Sequence, residues 1–308
     1  MKREILFVLP SPFRDEFRIH GFRFGSGSKS IAVVGAMRGD ELQQQFICSR
    51  LVNRLQDMEE EGTIVEGHEI LVIPSVNPFA MNIGKRFWAV DNTDLNNMFP
   101  GYSRGETTQR IAAALFEHIQ GYRFGVQMAG HYLPGDCIPH VRTIRTGYEN
   151  LELAKDFGLP YTLVHSPLPI DTTSLNYNWQ VWDTQAFSIY DGHSGVIHAD
   201  TANESLAAVL RFMARHGIIR CRTHPGYHSE IIREESLVNV KARRAGIMYA
   251  MCRPNDAVRR DQILARILDP YDGSTRWEVP APEDGTVFFV HSRPLVLENS
   301  LLFSIIAG

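Results

Sequence analysis

Residues Ile31 to Glu41, IAVVGAMRGDE, constrain the fold of this chain more than any other stretch. Ile31, Ala32, Val33 and Val34 make a short, mostly β-branched apolar block, the composition of a strand buried on both faces of a parallel sheet. Gly35 ends it. Asp40 is a favoured N-cap type with Gln43 three positions on as its capping-box partner, so a helix is predicted from Asp40 through Phe46, Leu51 and Leu55 to Glu61, closed at Gly62. Arg38 and Glu41 then lie between the carboxyl end of a strand and the first turn of a helix. In open α/β sheets that is where backbone N–H groups and the helix dipole converge on one crevice.

The same alternation continues. Ile5 to Leu9 reads as a strand and Glu69 to Pro74 as another buried block, so residues 31 to 74 form a β-α-β unit whose right-handed crossover implies a parallel sheet covered by helices. Glu106 to Ile119 sets Ile111, Leu115 and Ile119 at helical spacing. Phe124 to Met128, Tyr161 to Val164 and Ala186 to Tyr190 read as strands, and Asn150 to Phe157 and Thr201 to His216 as helices closed by Gly158 and Gly217. Asp171 to Gln180 is polar and aromatic and reads as a loop. From Glu230 onward the chain turns to short β-rich pieces, Gly246 to Ala250, Gln262 to Leu268, Trp277 to Val279, Thr286 to Val290 and Leu301 to Ile306, with a turn signal at Pro282 to Gly285. The expectation is an α/β domain over 1–220 and a small all-β domain over 221–308.

With 308 residues, 44% of them hydrophobic and 21% charged, the chain has enough apolar material for one large core and a smaller one. A net charge of −4 and a pI near 6.3 leave no electrostatic footprint for nucleic acid or an anionic membrane surface. The apolar block before Pro10 is too short for a signal-peptide core, no later run is long enough to span a bilayer, and Cys48, Cys137, Cys221 and Cys252 are scattered as reduced thiols are. These features predict a cytoplasmic protein whose partner is a small-molecule substrate or ligand, with a homo-oligomer the one further association open to it.

Gly35-Ala36-Met37-Arg38-Gly39-Asp40-Glu41 resembles the Gly-x-x-His-Gly-Asn/Asp-Glu segment of the succinylglutamate desuccinylase/aspartoacylase family, the zinc amidohydrolases related to zinc carboxypeptidases. Asn77-Pro78-Phe79-Ala80, Gly84-Lys85-Arg86-Phe87 and Asp94-Leu95-Asn96-Asn97-Met98-Phe99-Pro100-Gly101 are similar to the family's N-P-x-A, G-K-R-F and D-L-N-R-x-F-P-G. The resemblance implies a zinc-carboxypeptidase-like α/β fold, a mixed, mainly parallel sheet flanked by helices, with a C-terminal β-domain of biotinyl/lipoyl-carrier-like appearance. No lysine lies at the Pro282 to Gly285 hairpin, so no attached biotin or lipoate is expected. By the same resemblance Arg86 polarises the scissile carbonyl, Asn96 and the residue at Asn97 contact the substrate carboxylate, and Pro139-His140-Val141-Arg142 lies near the pocket.

At the chemistry the chain departs from the pattern. Arg38 stands where the family has a zinc-ligating His, and a guanidinium carries only donors. Ala129 stands where a second His completes the zinc site, with His131 two residues on and displaced by about 7 Å along an extended strand. Tyr190, with Asp191 beside it, stands where the family carries its catalytic Glu, and Asn97 replaces an Arg whose two-pronged charged grip an amide lacks. Of the inherited zinc ligands Glu41 remains. Two readings of Arg38 follow: an ion pair with Glu41 across a helical turn, or, with Arg86, an anion-binding crevice. A displaced Zn2+ site would draw on Glu41 and His131, with His140, His193, Asp136 and Asp191 in reserve. Cys137 reads as a buried small thiol rather than a nucleophile. The function implied by resemblance is a deacylase or amidohydrolase acting on a small N-acyl, amino-acid-like substrate at an altered or displaced metal site, with Glu41, Arg86 and Tyr190 catalytic and Arg38, Asn96, Asn97, His140 and Arg142 on the substrate. The alternative is a catalytically silent relative that binds a small anionic ligand.

Overall fold

The computed structural model describes residues 1–13, 15–192 and 195–308, so His193 lies outside the described residues. In chain order the strands begin β1 (Lys2–Leu9), β2 (Phe17–Gly25), β3 (Gly27–Ala36), β4 (Gly67–Ser75), β5 (Phe124–Ala129), β6 (Gly135–Cys137), β7 (His140–Ile144), β8 (Tyr161–His165), β9 (Gln185–Tyr190) and β10 (Glu230–Arg233). The helices are α1 (Leu42–Glu60), α2 (Pro78–Asn82), α3 (Thr107–Ile119), α4 (Leu151–Lys155), α5 (Leu175–Val181) and α6 (Ala199–Arg215).

The first compact unit comprises Met1–Gly130 and Pro139–Ile231. Its sheet runs β1-β2-β4-β3-β5-β9-β7-β8-β10, with β3, β4, β5 and β9 parallel and the β1-β2 hairpin and the β7/β9 pair antiparallel. Both faces of β3 and β4 are buried, as their unbroken apolar runs require. Ile31, Val33, Ile70 and Val72 pack under α1 and α6 with Leu51, Leu55, Val209 and Phe212, while Ala32, Val34, Leu71 and Ile73 pack with Ile111, Leu115 and Trp179 of α3 and α5. Each Val, Leu, Ile or Phe side chain so withdrawn from water contributes roughly 1.5–3 kcal/mol.

Two glycines place the loop after β3. A Cβ on Gly35 would lie 2.2 Å from the Pro74 carbonyl oxygen, and one on Gly39 would lie 2.2 Å from that of Lys85. The second approach lets the Gly39 N–H donate to the Arg86 carbonyl at 2.8 Å, which seats the 85–86 backbone against the entrance to α1.

The second unit comprises His131–Ile138 and Ile232–Gly308. Its strands are β11 (Val238–Lys241), β12 (Gly246–Ala250), β13 (Ala257–Val258), β14 (Ile263–Leu268), β15 (Thr275–Pro280), β16 (Gly285–His291), β17 (Leu295–Val296) and β18 (Leu301–Ala307). They form a β11-β18-β16-β13 sheet and a β15-β14-β12-β17 sheet around Leu264, Ile267, Val287, Phe303 and Ile305.

Several sequence expectations are corrected. The division falls at 231 rather than 220, because the chain reaches the outer edge of the large sheet as β10. The second unit also takes in 131–138, whose β6 pairs with β16 by long-range register, Phe289 opposite Cys137. The stretch 171–180 is not a loop: a 3-10 turn at Pro169–Thr173 leads to α5, whose first turn Ser174 caps. Its Asn176, Asn178 and Gln180 are buried and bonded, Asn178 donating to the carbonyls of Phe99, Thr172 and Ser174, so the helix carries polar residues where an apolar stripe would have announced it. The first helix begins at Leu42, with Glu41 at its N-cap position and no side-chain cap. Asp40 and Gln43 do not form the expected capping box.

Candidate functional site

The parallel register brings the carboxyl ends of β3, β5 and β9 together. Ala129 of β5 pairs with Tyr190 of β9, and Tyr190 pairs with His140 of β7, so the three form one row on one face. Gln127, Ser188 and Arg142 form the next row of that face, two residues along each strand. The loop leaving β3 carries Arg38 and Glu41.

Arg38 is buried and lies between two carboxylates. Its Nη1 donates to Glu41 Oε1 at 3.2 Å, and its Nε and Nη2 both donate to Asp94 Oδ2, at 3.1 and 2.9 Å. Glu41 is completely buried. Its Oε2 accepts the backbone N–H of Met37 at 2.8 Å and of Arg38 at 2.9 Å, and its Oε1 accepts that of Gly130 at 3.2 Å in addition to the guanidinium. Burial opposes the charge on Arg38, and Glu41 and Asp94 outweigh it, so the guanidinium is held above its ordinary value. Burial pushes the Glu41 carboxyl up, against the pull of Arg38 and of the Arg38 and Gly130 N–H groups.

Asp94 does a second job. Its Oδ1 accepts the Asn96 N–H at 3.1 Å and so caps the 3-10 turn Leu95–Asn97. That turn delivers the Asn96 side chain to Gln127, whose Nε2 donates to Asn96 Oδ1 at 2.8 Å. With its oxygen engaged, Asn96 presents N–H donors. Arg86 pairs with Asp40, Nη1 to Oδ2 at 2.7 Å, and the pair is partly exposed. The His140 ring stacks on that of Tyr190 with centroids 5.2 Å apart at 20°, and the Arg142 guanidinium sits 5.5 Å from the Tyr190 centroid.

Gln43 and Gln44 at the start of α1 are buried, and bond to Asp191, just past β9, and to His198. Gln44 Nε2 donates to Asp191 Oδ1 at 2.8 Å and Gln43 Nε2 to the Asp191 carbonyl at 3.0 Å, while Gln43 Oε1 accepts the His198 N–H at 2.7 Å. Asp94, Gln127, Gln43 and Gln44 are absent from the sequence-based site. The one signal for them was that a buried Arg38 demands carboxylates, and Asp94 stands in the same motif as Asn96.

The expected Arg38 and Arg86 crevice is not a pair of bare cations, because Arg38 already pairs with Glu41 and Asp94, and Arg86 with Asp40. Nor do the donors fit the zinc that the family resemblance implies. A carboxylate has about four lone-pair positions, and Glu41 uses its two oxygens for four hydrogen bonds. Ala129 offers no donor atom. His131 directly follows Gly130, and its Nδ1 accepts the Leu133 N–H at 3.2 Å. Asp136 lies in β6. Among the described residues no three His, Cys, Asp or Glu side chains group as a metal site, and Cys137 is a buried thiol, as expected. Asn97 ends the 3-10 turn beside Asn96.

A sequence model of the succinylglutamate desuccinylase/aspartoacylase catalytic domain matches residues 28–216. The N-alpha-acetyl-L-2,4-diaminobutyric acid deacetylase of Halomonas elongata is 21% identical over 277 residues, 85% of this chain and 77% of that protein. Among solved structures, a succinylglutamate desuccinylase/aspartoacylase from Rhodobacter sphaeroides superposes with a TM-score of 0.81 at 20% identity, covering 99% of this chain and 95% of the other. The product-bound ectoine utilization protein EutE (DoeB) from Ruegeria pomeroyi also gives 0.81, at 18% identity and the same coverage. These structures share the fold: a large mixed sheet with helices, followed by antiparallel β-sheets. No helix among the described residues is long and apolar enough to cross a membrane. This chain belongs to the succinylglutamate desuccinylase/aspartoacylase family, a family of deacylases.

Proposed function

We propose that the protein recognises a small N-acylated amino acid that carries its own ammonium group, and holds it without a metal-activated water. The observation that carries this reading is the double engagement of Arg38: with Glu41 and Asp94 on one guanidinium and Asp40 on Arg86, the loop and turn retain an excess of negative charge. A plain dianion gains little there. A zwitterion gains more, its ammonium facing the acidic side and its carboxylate facing Arg142 and the N–H donors of Asn96. The molecule for which the Halomonas relative is named, N-α-acetyl-L-2,4-diaminobutyrate, has this distribution of charge.

A second reading, hydrolysis of the same molecule's amide bond, is favoured by family membership. It requires a proton acceptor other than Glu41, whose lone pairs are engaged; the Tyr190 phenol could serve only by passing its own proton to the His140 imidazole stacked on it. Calorimetry with N-α-acetyl-L-2,4-diaminobutyrate, N-acetyl-L-aspartate and N-succinyl-L-glutamate, with released amine quantified in the same samples, separates the outcomes. Saturable heat for the zwitterion without amine supports recognition. Amine release establishes the second reading, and preference for the dianions overturns the charge assignment.

A further inference from the structure

We propose that Arg38 is the resident cation of this site: its guanidinium takes the cross-linking and charge-balancing place of a divalent metal, and the strand ends are held together with no metal ion. This goes beyond the ligand reading above and is separate from it, since the role of Arg38 is the same whichever molecule the pocket takes.

The geometry is that of a cation cross-link. One planar group with fixed charge donates to Glu41 at the entrance to α1 and to Asp94 ahead of the Leu95–Asn97 turn. Glu41 in turn takes the N–H of Gly130 just past β5, and Asp94 takes that of Asn96. Three segments far apart in sequence, 37–41, 94–96 and 130, are thereby fixed to one charge. A bound cation would do the same by coordinating both carboxylates. Arg38 does it with directional hydrogen bonds, which also occupy the lone pairs a metal would need. The backbone N–H groups on Glu41 belong to the same design. They stabilise a buried carboxylate that a single guanidinium, shared with Asp94, neutralises only in part.

Removal of the Arg38 side chain therefore leaves a cavity walled by two carboxylates whose best small occupant is a planar organic cation. The first experiment is metal analysis of wild-type protein purified without chelators or a histidine tag, with melting temperature recorded before and after EDTA. The expected result is less than a tenth of an equivalent of any divalent transition metal, and no change in melting temperature on chelation. The second is Arg38→Ala with guanidinium or methylguanidinium titrated at millimolar concentrations. A lowered melting temperature that rises saturably with the cation, and does not rise with urea or potassium at equal concentration, is expected. If Arg38→Ala is insoluble, Arg38→Lys keeps the charge while losing the fork, and its melting temperature is expected to fall and stay insensitive to zinc. About one equivalent of metal in the wild type, lost in Glu41→Gln, overturns the proposal. So does an Arg38→Ala protein as stable as wild type, or one that zinc restores and guanidinium does not.

Discussion

Arg38 donates to both oxygens of the Glu41 carboxylate, through Nη1 to Oε1 at 3.2 Å and through its own backbone N–H to Oε2 at 2.9 Å. A residue that binds its neighbour with side chain and main chain together closes a compact ring at the entrance to α1. The ring is sealed from water, since Glu41 is wholly buried and Arg38 nearly so. Its energetics differ from those of a surface ion pair: removing one partner is costly, whereas replacing the whole set by apolar groups need not be.

Glu41→Ala is accordingly expected to destabilise the protein by about 3–5 kcal/mol, because it strands part of a buried guanidinium charge and three backbone donors at once. Urea denaturation checks it. A loss below about 1 kcal/mol would mean that water reaches the ring and that the pair is worth no more than an exposed one.

Gln127→Leu removes the donor that orients Asn96 and leaves the Asn96 oxygen without that partner. The cost in stability is about 1–3 kcal/mol. Binding of the zwitterionic ligand should weaken by more than the change in stability accounts for, since the Asn96 amide becomes able to turn. Equal affinity in the two proteins by calorimetry would remove Asn96 from the ligand contacts.

Gly39→Ala forces a methyl group onto the Lys85 carbonyl, 2.2 Å from the ideal Cβ position. Overpacking of this kind costs about 1–3 kcal/mol, and relief requires the 85–86 segment to move off, carrying Arg86 away from Asp40. A crystal structure of the variant with the Asp40–Arg86 distance unchanged would refute the account of how Arg86 is placed.

Three histidines set a pH dependence. Burial lowers the pKa of His20, aided by Arg3 and Arg18. It lowers that of His216 despite Asp156, and that of His291 beside Arg293, each from an ordinary value of 6.5. The unfolded chain then takes up protons first as pH falls. Their contribution to stability is complete above pH 6.5 and declines below it, towards the lowered folded values. Melting temperature should drop between about pH 7.5 and pH 5.5, and His216→Gln should flatten that slope. The raised Glu41 carboxyl acts with the opposite sign, so the test is the variant: a slope that His216→Gln leaves unchanged would remove His216 from the dependence.

The sequence by itself determined the α/β framework, because the signals for it are local. The β-branched block Ile31–Val34, the apolar run at Ile70–Ile73 and the helical spacing of Ile111, Leu115 and Ile119 each state their burial within a few residues. It likewise marked Arg38 and Glu41 as neighbours three apart at a strand-to-helix junction. What remained illegible depended on distance along the chain or on polar residues in apolar roles. The choice between an ion pair and an anion crevice turned on Asp94, 56 residues from Arg38. The α5 helix hid behind buried Asn176, Asn178 and Gln180, whose hydrogen bonds run to carbonyls and hydroxyls on other segments. Only the tertiary structure decides such cases, because a buried charge or amide is stable where its partners converge in space, and that convergence is set by sheet order and register rather than by the residues on either side.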